Sequence, residues 1–283
     1  MNWNAPEIRT LIRTALREDA AHHDKTTHLL IPSDLRIEAE IRAKANGVVC
    51  GLPLAHKFFE ALDQHVVFRI MKPDGTVVKN GDGLARLHGT AHAILGVERS
   101  ALNALQHLSG IATFTRIQVR KLGSSKTCLL DTRKTLPGWR TLQKYAVHCG
   151  GATNHRSSLA QEILIKENHL KICRLAGLNW KRAVRPVLRA VELEVQTEKD
   201  LRDAVILKPA KILLDNWSPA RLREYIKVIR RQSPQTRIEI SGGVKPMQLP
   251  VVGRLGADFI SMGRLTHSVK AFDCSLDILR VLK

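Results

Sequence analysis

The chain has 283 residues, of which 44% are hydrophobic and 25% charged. That length supports one large or two modest domains without disulfide or metal staples, and the composition excludes a disordered or fibrous protein. Forty-five Lys and Arg against 26 Asp and Glu leave a formal charge of +19, a field that favours anionic partners. Cys50, Cys128, Cys149, Cys173 and Cys274 form no CxxC pair and no zinc-finger spacing. The first residues lack the basic start and apolar run of a secretory leader, and no apolar run nears the ~20 residues that span a bilayer. A reduced, cytoplasmic protein without membrane attachment is expected. Aromatic residues make up only 4% of the chain, too few for single-strand stacking platforms, so no nucleic-acid partner is expected despite the charge.

In chain order, Ile8, Leu11, Ile12, Ala15 and Leu16 predict a helix over Ala5–Arg17. Shorter apolar runs follow, Ile37–Ala43 and Val66–Met71. They are separated by Asn46-Gly47, Pro73-Asp74-Gly75 and Asn80-Gly81-Asp82-Gly83, which read as turns between strands. Glu98–Leu122 reads as a long helix with a break near Gly110. Beyond it, strand, loop and helix repeat. The strands are Thr127–Asp131, Glu162–Lys166, Leu188–Val195, Lys211–Asp215, Arg237–Ser241 and Asp258–Met262. The helices between them are Gly138–His148, Arg174–Arg185, Thr197–Leu207, Pro219–Arg231 and Lys245–Leu255. Such alternation means a parallel sheet or barrel. The domain boundary is expected near residue 112, giving an N-terminal domain over 1–112 and a barrel domain over 113–269. The 270–283 tail is assigned to pack with the first.

Parallel α/β barrels keep their chemistry on the loops after the C-terminal strand ends. Those ends here read Asp131-Thr132-Arg133-Lys134, Lys166-Glu167-Asn168-His169, Glu192 with Glu194, Asp215-Asn216, Ser241-Gly242-Gly243 and Ser261-Met262-Gly263-Arg264. Arg133, Arg156 and Lys166 suit carboxylates or phosphates, which guanidinium forks grip bidentately. The glycines of Ser241-Gly242-Gly243 and of Met262-Gly263-Arg264 fit a turn or a backbone cradle for phosphate. Glu194 and Asp215 are singly ordinary salt-bridge partners but together suit Mg²⁺. His155 reads equally as a capping or a site residue, and Cys149 as a small packed residue with no base beside it. No P-loop or complete GxGxxG occurs, which argues against a Rossmann cofactor. The residues alone therefore describe an α/β-barrel enzyme acting with Mg²⁺ on phosphate-bearing, carboxylated substrates.

The stretch from Asp131 to Leu170, DTRKTLPGWRTLQKYAVHCGGATNHRSSLAQEILIKENHL, resembles the signature of the quinolinate phosphoribosyltransferases. So do Glu18-Asp19 through Thr27, Glu98-Arg99-Ser100-Ala101-Leu102-Asn103, and the ELEV, LLDN, ISGG and GRLTHS strand ends. The resemblance implies an α/β sandwich domain beside an open, incomplete parallel α/β barrel. It implies transfer of phosphoribose from phosphoribosyl pyrophosphate to quinolinate, giving nicotinate mononucleotide, pyrophosphate and CO2 in NAD biosynthesis. Arg99, Arg133, His155, Arg156 and Lys166 would hold quinolinate. Thr132, Lys134, Lys166, Ser241, Gly242, Gly243, Gly263 and His267 would hold phosphoribosyl pyrophosphate, and Glu194 and Asp215 the Mg²⁺. The implied assembly is a homodimer, or a hexamer built from it, in which Arg99 reaches the neighbour's site. The chain departs from the family pattern at Ala152, where a third glycine is usual, and at His23, Leu136, Glu167 and Arg264.

Overall fold

Ile37, Ala39, Ile41 and Ala43 alternate with Glu38, Glu40 and Arg42, a period of two that buries one face of a strand. The computed structural model, which describes residues 1–282, forms that strand over Arg36–Ala43. It pairs antiparallel with Gly83–Thr90 on one side and Cys274–Leu282 on the other, and Val67–Ile70 completes a four-stranded sheet. Glu40 breaks the alternation: it is buried, but ion pairs to Arg42 at 2.7 Å and Arg86 at 3.0 Å compensate it. The helices Pro6–Glu18 and Leu52–Leu62, a short ribbon of Gly47–Val48 with Val77–Val78, and the helix Ala91–Leu122 accompany this sheet. On that long helix Ile94, Val97, Ala101, Leu105, Leu108 and Ala112 are fully buried.

The long helix begins seven residues before the predicted Glu98 and runs unbroken through Gly110. Glycine is required there by a neighbour rather than by a kink. A Cβ at 110 would lie 2.3 Å from the Lys270 carbonyl oxygen, where the chain passes on its way to the last strand. The turn assigned at Asn46-Gly47 in fact enters the ribbon strand.

The chain divides into two units. The first comprises residues 1–116, Thr135–Gly151 and everything from Leu265 onward; the second comprises Ile117–Lys134 and Ala152–Arg264. By this division residues 113–116 and 265–269 lie in the first unit, and so does the helix Arg140–Cys149, which the sequence pattern set among the barrel helices. Contacts explain why. Gln143 Nε2 lies 2.7 Å from His107 Nε2, and the Tyr145 hydroxyl donates to Asp74 at 3.0 Å. A Cβ at Gly150 would sit 2.7 Å from the Ala112 carbonyl oxygen.

The second unit is a six-stranded parallel sheet. Its order is Cys128–Leu130, Phe259–Ser261, Arg237–Ser241, Lys211–Asp215, Val191–Val195 and Ile163–Ile165. No strand among the described residues joins the two ends, so the barrel is open. Helices Glu167–Leu175, Trp180–Val184, Glu198–Leu207, Pro219–Gln232 and the short Leu249–Val252 connect the strands. Gly177, at φ 64°, splits the predicted Arg174–Arg185 helix. Thr197 and Ser218 cap the next two helices by accepting the Asp200 and Arg221 amide protons. No helix among the described residues is long and apolar enough to cross a membrane.

Candidate active site

Parallel strands put all six C-terminal ends on one rim, and in this protein that rim is where the polar residues converge. Ser241 pairs with Asp215 in register, and Ser261 with Leu130, so the loops after these strands start level. Gly242 and Gly243 both have positive φ, 79° and 59°, and Asn216 is left-handed at 61°. The Asn216 amide donates to the Ser241 carbonyl at 3.1 Å, and a Cβ on Gly242 would lie 2.4 Å from Asn216 Oδ1. This turn needs glycine for both conformation and space.

Glu194 and Asp215 stand beside it. Gln196 Nε2 donates to Glu194 at 2.9 Å and to Asp215 at 3.0 Å, bridging the two carboxylates. Burial, and then the charge of Asp215, raise the Glu194 pKa above the ordinary range. Lys166 Nζ is 4.0 Å from Glu194. It extends from the residue that caps the helix Glu167–Leu175, its backbone N–H donating to His169 Nδ1 at 2.9 Å.

Arg133 follows strand Cys128–Leu130 and is half-buried; its Nε is buried with no hydrogen-bond partner. Arg156 is buried, with Nη1 donating to the Glu162 carbonyl at 2.9 Å. Its pKa is lowered by burial and then by the positive charge of Arg133. Two guanidinium groups thus repel one another across a short distance, one with an unspent donor. Thr132 Oγ1 accepts the Lys134 N–H at 3.1 Å, shaping the turn that leaves Lys134 exposed.

His155 is held differently from these cations. Nε2 faces Glu192 at 3.3 Å and Glu239 at 3.5 Å inside the barrel, and Lys211 Nζ completes the cluster at 3.2 and 3.1 Å from the same carboxylates. A cavity of about 1400 Å³ at the opposite mouth, among the N-terminal strand ends, reaches this cluster. Burial would lower the His155 pKa, but the bonds to Glu192 and Glu239 outweigh it and raise it to about 9. Nδ1 accepts the Arg156 N–H at 2.7 Å. The Asp131 carboxylate accepts the His155 N–H at 2.8 Å. Both ends of His155 therefore fix the backbone from which Arg156 projects. Glu192 stood beside Glu194 in the strand-end reading, whereas Glu239 and Lys211 were not singled out from the sequence, although Glu239 shares the inward face of its strand with Ser241 by the two-residue period.

Lys211 is the only lysine or arginine paired with Glu192 and Glu239 among the described residues. Lys211→Met removes the ammonium that Glu192 and Glu239 share and leaves the two carboxylates facing His155 alone of this cluster; it is expected to cost about 1–3 kcal/mol of stability, read as a fall in the urea midpoint. Adding Glu192→Gln to it recovers part of that loss.

The other two expected site residues lie in the first unit. Arg99 is on the long helix, 62% exposed, with only a 4.0 Å approach to Glu98. His267, exposed, contacts Ser268 Oγ through Nδ1 at 2.6 Å. Gly263 follows strand Phe259–Ser261 on the second unit's rim.

An open parallel barrel with paired guanidinium groups, bridged carboxylates and glycine turns on one rim defines an α/β-barrel transferase of anionic substrates. Residues 24–109 match the quinolinate phosphoribosyl transferase N-terminal domain, and residues 111–277 match the C-terminal domain of the same family. A Bacillus subtilis protein named probable nicotinate-nucleotide pyrophosphorylase (carboxylating) is 38% identical, over 97% of this chain and 94% of its own. The Mycobacterium leprae nicotinate-nucleotide pyrophosphorylase (carboxylating) is 34% identical, over 95% of this chain and 96% of its own. The solved nicotinate-nucleotide pyrophosphorylase from Francisella tularensis superposes with a TM-score of 0.87 at 34% identity, covering 98% of each chain. The chain belongs to the quinolinate phosphoribosyl transferase family.

Proposed function

We propose that this enzyme transfers phosphoribose from phosphoribosyl pyrophosphate to the ring nitrogen of quinolinate, releasing pyrophosphate and CO2 and giving nicotinate mononucleotide for NAD biosynthesis in the cytoplasm. The observation that carries the reading is the Arg133–Arg156 pair. Two adjacent guanidinium groups that raise one another's energy in the free protein are stabilised by a substrate bearing two adjacent carboxylates. Lys166 adds a third cation, and Arg99 of the partner subunit a fourth, in a homodimer with shared sites. His155 acts as a positioning residue, holding the Arg156 backbone rather than touching quinolinate.

Ser241, Gly242, Gly243, Gly263 and His267 hold the 5′-phosphate, the backbone amides of the two positive-φ glycines being free of a side chain that would block approach. Thr132 and Lys134 face the pyrophosphate. Glu194 and Asp215 fit a hard divalent cation: both donors are carboxylate oxygens, held together by Gln196 in spite of their repulsion. When bound, Mg²⁺ would neutralise charge on the leaving pyrophosphate. No side chain needs to act as nucleophile, since the pyridine nitrogen attacks the anomeric carbon and orientation supplies the rate. The carboxylate next to the ribosylated nitrogen then leaves as CO2, its electrons stabilised by the adjacent positive nitrogen.

The test is product formation from quinolinate and phosphoribosyl pyrophosphate with Mg²⁺, one CO2 per nicotinate mononucleotide. Nicotinate, lacking the second carboxylate, is expected to be a poor substrate. Comparable turnover of nicotinate would defeat the dicarboxylate reading.

Glu194→Gln separates the metal from the fold. A carboxyl whose folded pKa is raised destabilises the protein above its unfolded pKa, and that penalty is absent below it. Removing the charge is therefore expected to raise stability at neutral pH by about 1 kcal/mol, while Mg²⁺-dependent turnover falls and quinolinate binding holds. Thermal unfolding at pH 7, with titration calorimetry of quinolinate, reads both.

A further inference from the structure

Cys50 follows the strand Gly47–Val48, and Cys149 is the last residue of the helix Arg140–Cys149. Both lie in the first unit, far apart in sequence. Asp74 ties their surroundings together. Its Oδ2 accepts the N–H of Gly51, the residue after Cys50, at 2.9 Å, and the hydroxyl of Tyr145, one helical turn before Cys149, at 3.0 Å. Gly75 reaches the same two places: its N–H donates to the Val49 carbonyl at 2.8 Å, and a Cβ there would lie 3.6 Å from the Cys149 carbonyl oxygen. Ser109 Oγ accepts the Cys50 N–H at 2.9 Å and donates to its carbonyl at 3.1 Å, so one side of the pair is anchored. These contacts bring the two thiols into one neighbourhood, where each shifts the pKa of the other.

We propose that Cys50 and Cys149 form a reversible oxidation site, closed to a disulfide by a peroxide with Cys149 as the attacking thiol. Cys149 is half-buried while Cys50 is fully buried, so the oxidant meets Cys149 first. The neighbouring Cys50 side chain leads the effects that lower the Cys149 pKa, whereas burial pushes Cys50 well up. The Cys149 thiolate attacks one peroxide oxygen; the O–O bond breaks, a sulfenic acid forms and water leaves. The Cys50 sulfur, surrendering its proton, then attacks the Cys149 sulfur and expels a second water. In balance, two thiols and one hydrogen peroxide give one disulfide and two waters. Closure requires the two sulfurs to reach the ~2.05 Å of an S–S bond. The site does not depend on the transferase reading.

The test treats the fully reduced, unaltered protein with hydrogen peroxide near stoichiometric amounts, followed by digestion without reductant and mass spectrometry. The expected result is a single cross-linked pair of peptides containing Cys50 and Cys149, two hydrogen masses lighter than the separate peptides, and separated again by dithiothreitol. Cys50→Ser, which removes the resolving sulfur, is expected to accumulate a dimedone-trapped sulfenic acid at Cys149. The unaltered protein decides the question even if that variant folds poorly. Sulfinic or sulfonic acid at Cys149 with Cys50 still a thiol, cross-links to Cys128 or Cys173 instead, or a pair untouched while Cys128 oxidises would each overturn the proposal.

Discussion

Arg133→Ala is expected to lower quinolinate affinity about a thousandfold and to leave the protein at least as stable as before. A charge-assisted hydrogen bond contributes ~1.5–3 kcal/mol, so losing a bidentate pair removes about 4 kcal/mol, or roughly three powers of ten. The stability half of the expectation comes from the free protein. Arg133 has a buried Nε without a partner and lowers the pKa of its neighbour Arg156, both unfavourable until a dianion arrives. Its removal relieves that repulsion. Calorimetric binding together with a urea midpoint distinguishes this from simple unfolding, in which both would fall. Near-normal quinolinate affinity would remove Arg133 from the pocket.

The same logic connects Arg133 to Glu194. Each is a charge held next to a like charge, Arg156 or Asp215, at some cost to the folded state. Such arrangements are maintained where a ligand of opposite sign completes them. The interior quartet of His155, Glu192, Glu239 and Lys211 is of another kind: its charges face opposite charges within the fold. Substitutions on the rim should thus damage function and spare stability, whereas substitutions of Glu192, Glu239 or Lys211 should chiefly cost stability.

Much of the fold was legible because its strands are buried apolar runs bounded by breakers. Lys211–Asp215 and Arg237–Ser241 form over the residues their patterns predict. The bounds that failed did so for tertiary reasons. Arg140–Cys149 is a good amphipathic helix whichever unit it serves, and only its contacts with His107 and Asp74 decide that it leaves the barrel. The rim residues were readable from their position after strands. The orientation of the His155 ring was not, since it depends on Glu192 and Glu239 from two other strands. Cys149 read as a lone packed residue for the same reason: its partner Cys50 precedes it by a whole domain's worth of chain.

Arg99 carries the last expectation, which concerns assembly. It lies on the helix Ala91–Leu122, 62% exposed, and its ion pair among the described residues is a 4.0 Å approach to Glu98. If it completes the quinolinate site of a partner subunit, Arg99→Ala and Arg133→Ala damage different halves of one shared site. Each variant alone is then nearly inactive. In a twofold dimer of one subunit of each kind, one site carries both substitutions and the other neither. Random re-pairing of equal amounts makes about half the dimers mixed, and one site in two of those is intact, so about a quarter of wild-type activity should return. The measurement is turnover after the two proteins are mixed under conditions that exchange subunits, with mixed dimers verified by differently tagged chains. A surface role for Arg99, paired only with Glu98, predicts instead that Arg99→Ala is nearly fully active by itself. Mixed dimers that form and stay inactive would rule out the shared site.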